Sequence, residues 1–164
     1  MSTSHILNIK DVEFSKWGHG ERFEARLGAI GPRVGAKKLG YKLVVLPPGK
    51  CGWPAHFHHV NEEMFFIIEG TGSLRYGAER HPLRPGDVVC CPAGAGVPHQ
   101  ISNNSDGELR YLAVSTMDLP EVVEYPDSGK FGVVHGPPGA VRGQWSFSFF
   151  GRTTGAADYW DGEK

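Results

Sequence analysis

The chain has 164 residues, which suits one domain with a proper core and is short for two. Its formal charge is −1 and no run of Lys or Arg exceeds two residues, so nothing in the composition asks for nucleic acid or an anionic membrane. With 23 glycines and 12 prolines, about a fifth of the chain punctuates turns, which favours many short strands over long helices.

The opening residues, MSTSHILNIKDVEF, hold no apolar stretch long enough for a signal peptide or a membrane span. Cys51, Cys90 and Cys91 are odd in number and two are adjacent, which argues against a disulfide framework. A reducing, cytoplasmic setting is therefore the expectation, with Cys90 and Cys91 as small apolar strand residues.

Residues 1–39 read as an N-terminal arm with one lead-in strand, Arg22 to Gly28. From residue 40 to 118 the chain alternates strand and turn. Tyr41 to Leu46 ends at Pro47-Pro48-Gly49, Met64 to Ile68 at Glu69-Gly70, and Ser73 to Tyr76 at Gly77. Asp87 to Cys91 ends at Pro92, while Gln100 to Asn103 and Leu109 to Val114 flank the turn Asn104 to Gly107. No helical period separates them, so the expected architecture is all-β, a double-sheet antiparallel jelly roll. Residues 119–164 form a Gly- and Pro-rich extension. In it Trp145, Phe147 and Phe149 alternate with Ser146 and Ser148, the pattern of a half-buried strand. Those rings, with Tyr159 and Trp160, are expected to pack on the barrel or on a partner subunit.

The residues that carry chemistry are His56, His58, Glu63 and His99. Positions two apart on a strand share a face, so His56 and His58 aim two imidazoles at one point. Glu63 lies an odd number of positions from His58, and a turn through His59 to Glu62 lets it open the next strand facing inward. His99, from a distant strand, completes three nitrogens and one oxygen, a set suited to one divalent transition metal (Fe, Mn, Ni or Zn) with room for substrate. Glu62 and His59 have the opposite parity and are not expected as ligands. His5, His19, His81 and His135 carry no pattern.

These residues sit in two motifs. The first is His56-x-His58, four residues, Glu63, six residues and Gly70, preceded by Gly49 one place early. The second is Gly86, five residues, Pro92-x-Gly94, four residues, His99, three residues and Asn103. Together they resemble the two motifs of the cupin superfamily, with Ala95-Gly96 as a two-residue insertion before the third histidine. The resemblance implies a double-stranded β-helix barrel over residues 40–118 and supports the ligand set His56, His58, Glu63 and His99. It does not specify an activity, because one fold hosts many.

Such a site suits a metal-dependent enzyme acting on a small oxygenated substrate, the ion serving as a Lewis acid. A sugar or sugar-phosphate isomerase is the first expectation, a cupin-type dioxygenase or lyase the next. A non-catalytic small-molecule binding or sensing module is the contrasting class. Neither flank carries a helix-turn-helix pattern, which disfavours a DNA-binding regulator. Phe65, Ile67, Ile101 and Tyr41 are expected as apolar walls. No general base is evident, since parity leaves Cys90 and Tyr76 undecided. The strand Met64 to Ile68 is apolar on both faces, so Met64, Phe66 and Ile68 need a cover: the second sheet, a terminal extension or another subunit. A homodimer is the expected assembly.

Overall fold

The computed structural model describes residues 5–94 and 96–163. Its strands are β1 (Ser15–His19), β2 (Phe23–Ala29), β3 (Leu39–Leu46), β4 (Phe57–His58), β5 (Glu63–Glu69), β6 (Gly72–Tyr76) and β7 (Glu79–Leu83). They continue as β8 (Val88–Cys91), β9 (His99–Ser102), β10 (Leu109–Thr116), β11 (Glu121–Tyr125), β12 (Lys130–His135) and β13 (Phe147–Gly151). The helical segments among the described residues are three short 3₁₀ turns. The molecule is therefore all-β, and every strand pairing is antiparallel.

One wall is a six-stranded sheet in the order β1-β2-β3-β10-β5-β8. Facing it are a four-stranded sheet, β13-β12-β11-β4, and a three-stranded sheet, β7-β6-β9. Isolated bridges Cys51↔Ser102 and His56↔His99 tie the segment around β4 to β9. Between the walls lies the core: Val44, Leu46, Phe65, Ile67, Leu109 and Tyr111 meet Leu74, Leu83 and Ile101. Burying each large side chain contributes roughly 1.5–3 kcal/mol. This is the jelly-roll barrel expected from the strand spacing.

The two motifs earn their glycines and asparagine structurally. Gly70 turns at φ +80°, and a Cβ there would collide with the Glu108 carbonyl. Asn103 is fully buried and donates from Nδ2 to the carbonyls of Leu46 (2.8 Å) and Gly107 (2.7 Å), closing the β9–β10 connection.

Several expectations are corrected here. The N-terminal arm carries two strands, β1 and β2, both within the large sheet. The outer face of β5 is covered in part by that arm, because Ile68 packs with Val12, Ile30, Leu43 and Leu7. Phe66 stays 38% exposed. The extension is built onto the barrel at its start, where β11 pairs with β4. Its aromatic strand is β13, where Phe147, Phe149 and Phe150 are about half exposed, while Tyr159 is 83% and Trp160 70% exposed. Phe149 lies against Phe131 of β12, and the Phe150 ring covers Gly132 of the same strand. β13 pairs with β12 and forms the edge of its four-stranded sheet.

Candidate metal centre

His56 and His99 form a backbone pair across the two strands. His99 N donates to His56 O at 2.8 Å and His56 N returns a bond to His99 O at 3.2 Å. Direct opposition sets their rings side by side, centroids 4.6 Å apart. His58, two residues on, shares the face of His56, its ring 5.1 Å away. The chain then turns, with His59 N bonded to Val122 O and Gly94 N to His58 O, and Glu63 opens β5.

All four expected side chains meet at one atom. From Glu63 Oε2, His99 Nε2 lies at 2.8 Å, His58 Nε2 at 3.5 Å and His56 Nε2 at 3.6 Å. His56, His58 and Glu63 each offer a donor atom within 4.8 Å of the others; His99 falls outside that mutual grouping and joins it through Glu63 alone. The longer loop before His99 does not displace it: Pro98 accepts from Gly77 N, pairing resumes at once, and His99 is 3% exposed. Ala95, in that loop, lies outside the described residues. His59 points elsewhere and pairs with Glu124 at 2.7 Å on the surface. Glu62 is exposed.

The donor set fits a divalent cation. The Nδ1 of His56 lies 2.8 Å from the Pro54 carbonyl, a bond that requires the proton on Nδ1 and leaves a lone pair on Nε2 facing Glu63. The distances from Glu63 Oε2 to the three imidazoles, 2.8–3.6 Å, bracket the ~3 Å between neighbouring ligands that metal–nitrogen bonds of about 2.1 Å imply. Without a cation, protons serve instead. Burial alone would lower the His58 pKa, but Glu121 and Glu63 outweigh it and raise it to about 9. Burial opposes the charge of Glu63 too, yet contacts with His56, His58 and His99 hold its carboxyl well below the usual range. For His99 burial dominates and its pKa falls.

Sequence reasoning missed Glu121. It is buried in β11, and its Oε2 stands 3.6 Å from His58 Nδ1, an atom with no hydrogen-bond partner. The same carboxylate accepts from the backbone of Asn61 (2.8 Å), His59 (3.2 Å) and Val60 (3.3 Å), and from the Asn61 side chain. It therefore pins the His58–Glu63 turn while orienting the imidazole, as outer carboxylates do around metal-binding histidines. Burial tends to raise its pKa, but His58 and these amides lower it.

A narrow cleft with a cavity volume of about 20 Å³ lies beside the centre, lined by Trp53, Pro54, Phe65, Gln100, Ile101 and Tyr111 with His56 and His99. Phe65 and Ile101 are walls as expected, and Ile67 lies deeper in the same cluster. Tyr41 is not a wall; it packs on the outer cluster with Leu43 and Ile68, and Tyr111 takes the inner place. Cys90 is exposed and lines a separate cavity with Tyr76, so neither serves this cleft. Cys91 faces the core, where burial and then the Glu63 charge push its thiol up to about 12.

Basic and aromatic groups gather beside the cleft, around its lining residues Trp53 and His56. Lys42 has the strand parity of the core residues Val44 and Leu46, and its Nζ sits 4.9 Å from the Trp53 ring centroid. Burial lowers its pKa, and the charge of Glu63 partly restores it. Trp17 lies 6.2 Å from Trp53, and Tyr125 lies 6.0 Å from His56.

Comparison with known proteins agrees with this architecture. Residues 42–115 match the family model described as Cupin domain. The oxalate-binding protein of Thermotoga maritima is 33% identical over 69 residues, 42% of this chain and 54% of that protein. The matched region spans about half the length of the curated relatives. Two solved structures named as sugar phosphate isomerases share the fold. That from Acidithiobacillus ferrooxidans has a TM-score of 0.77 at 23% identity, covering 94% of this chain and 96% of its own. That from Silicibacter pomeroyi has a TM-score of 0.76 at 24% identity, covering 95% and 98%. The barrel of paired antiparallel strands around His56, His58, Glu63 and His99 is the part of the chain, residues 42–115, that matches the Cupin domain model.

Proposed function

We propose that the protein is a metal-dependent enzyme that acts on a small oxygenated molecule at His56, His58, Glu63 and His99, with isomerisation of a sugar or sugar phosphate as its reaction. The observation that carries this reading is the convergence of three imidazole Nε2 atoms on one Glu63 oxygen within 3.6 Å. A bound divalent ion supplies Lewis-acid polarisation of a substrate oxygen there. The chain's own residues do the rest. Glu121 holds His58 in place, the Pro54 carbonyl fixes the His56 tautomer, and Phe65, Ile101 and Tyr111 keep bulk water from the cleft floor. The two fold neighbours named as sugar phosphate isomerases cover nearly the whole chain, which supports testing that reaction first.

A second reading, binding of a small dicarboxylate without turnover, is favoured by the similarity to the oxalate-binding protein. One experiment separates the two. Protein stripped and reloaded with manganese, iron, nickel or zinc is incubated with a panel of aldose and ketose phosphates and with oxalate, and followed by NMR. Aldose–ketose conversion that disappears in His58→Ala supports the enzyme. Saturable oxalate binding with every sugar unchanged supports the binding module, and failure to take up any of the four metals overturns both.

A further inference from the structure

The ligand set accounts for the floor of the cleft but not for the charges beside it. Lys42 makes no hydrogen bond or ion pair with any described residue; its ammonium rests on the face of Trp53, itself a lining residue. An ammonium is strongly hydrated, so holding one half-buried without an acceptor is costly. Arg142, from the loop between β12 and β13, is likewise without a carboxylate partner, its Cζ 5.6 Å from the ring of Trp17. Trp17 and Trp53 are neighbours, 6.2 Å apart and tilted by 32°. The charge of Arg142 also reaches Tyr125, whose ring lies against His56. Two cations from distant parts of the chain thus stand on adjacent indoles, one of which, Trp53, lines the cleft beside the metal centre. A divalent ion with three neutral imidazoles and one carboxylate adds a further net positive charge. The whole cleft then favours an anion.

We propose that this cluster is an anion-receiving subsite, in which Lys42 and Arg142, carried on the Trp53 and Trp17 rings, take up a phosphate or carboxylate group of the substrate. The inference rests on the reading of the centre given above and narrows its substrate class to small oxygenated molecules that also bear an anionic group. The indole faces hold both cationic groups in place, which lowers the entropy lost when the anion binds. Guanidinium and ammonium together match a phosphate better than either alone, one by a planar fork and the other as a point charge.

Inorganic phosphate and acetate serve as probes, with glycerol as the neutral control. Binding is read by calorimetry and by the fluorescence of Trp17 and Trp53, on metal-loaded and metal-free protein. The expected result is saturable phosphate or acetate binding that perturbs the tryptophan signal and weakens about tenfold or more in Lys42→Met and in Arg142→Gln, with metal uptake unchanged. The tighter probe names the anionic group. Anion binding of parental strength in both variants overturns the subsite, as does metal-loaded protein that binds neither probe. Should Lys42→Met lose its fold by circular dichroism, Arg142→Gln decides, since Arg142 is an exposed loop residue. If the parent takes up no metal while anion binding still depends on Lys42 and Arg142, the catalytic reading fails and the subsite stands.

Discussion

His99 and Glu63 meet across the barrel at 2.8 Å, Nε2 to Oε2, from strands that belong to opposite walls. The pair closes the centre, because His56 and His58 approach the same oxygen from the strand opposed to His99. Glu63 is thus the one anion common to three imidazoles. Glu63→Gln keeps the volume and removes the charge, so it should cost more metal affinity than any change in the outer shell. Glu121→Gln acts only through His58 and the turn, and about 10–100-fold is expected there. Calorimetric titration of both variants with zinc checks the order; equal affinities for the two would refute it.

Proton release gives a second test. The His58 pKa of the metal-free protein is raised to about 9, so at neutral pH an incoming cation must displace its proton. Metal affinity should therefore climb by about tenfold per pH unit between roughly 6.5 and 9 and then level off. Stability of the metal-free protein runs the other way. A histidine whose pKa rises on folding stabilises fully below its unfolded value near 6.5 and loses that contribution as pH rises through about 9. Thermal melts of metal-free protein from pH 6 to 9.5, alongside His58→Gln, isolate the effect. A Tm gap between them that does not narrow with rising pH would count against it.

Much of the barrel was legible because its strands bury one face against a core, which leaves a period of two in the sequence. β10 carries that period, whereas β3 and β5 were read from their apolar runs between turns, and the parity of His56 and His58 followed from their two-residue spacing. β1 and β7 could not be read, since four of the five residues in each are exposed and neither alternates. β11 and β12 were hidden in a Gly- and Pro-rich stretch that looked like loop. With β11 went Glu121, whose role depends on a tertiary pairing with β4 that no local pattern announces. Lys42 was in plain view at an inward position between Gly40 and Val44, but a lysine there has meaning only once Trp53 and Glu63 are seen beside it.

Thiol chemistry should separate the three cysteines. Cys90 is exposed, whereas Cys51 and Cys91 are buried, and burial pushes the Cys91 thiol up to about 12. Iodoacetamide at pH 8 should add one carbamidomethyl group quickly to native protein, and Cys90→Ser should abolish that addition. Mass spectrometry reads both. Rapid modification of Cys91 in folded protein would contradict its placement.

Gly70 ties the sequence motif to stability. Its φ of +80° is costly for an L side chain, and a methyl group would meet the Glu108 carbonyl. Gly70→Ala should destabilise by at least about 1–3 kcal/mol, the usual scale of backbone strain. Gly86→Ala, at φ +94° with open space around it, bears the strain without the collision and should cost less. Paired urea denaturation curves test the ranking.

The exposed rings of the extension bear on assembly. Phe147, Phe149 and Phe150 lie on β13, an edge strand whose outer side has no pairing partner, and Tyr159 and Trp160 are still more exposed. A run of apolar side chains on an open edge invites pairing with another chain, and native edges are normally covered or charged. β13 carries no charged residue to discourage it. A second copy pairing along β13 would bury these rings, and we propose that edge as the interface of a homodimer. Phe147→Asp places a charge in the middle of the patch while leaving the Phe131–Phe149 contact and the metal ligands untouched. Light scattering coupled to size exclusion should report a dimer for the parent and a monomer for Phe147→Asp, with zinc uptake preserved in both. A parent that runs as a monomer across the concentration range, or a variant that dimerises as tightly as the parent, would remove β13 as the interface.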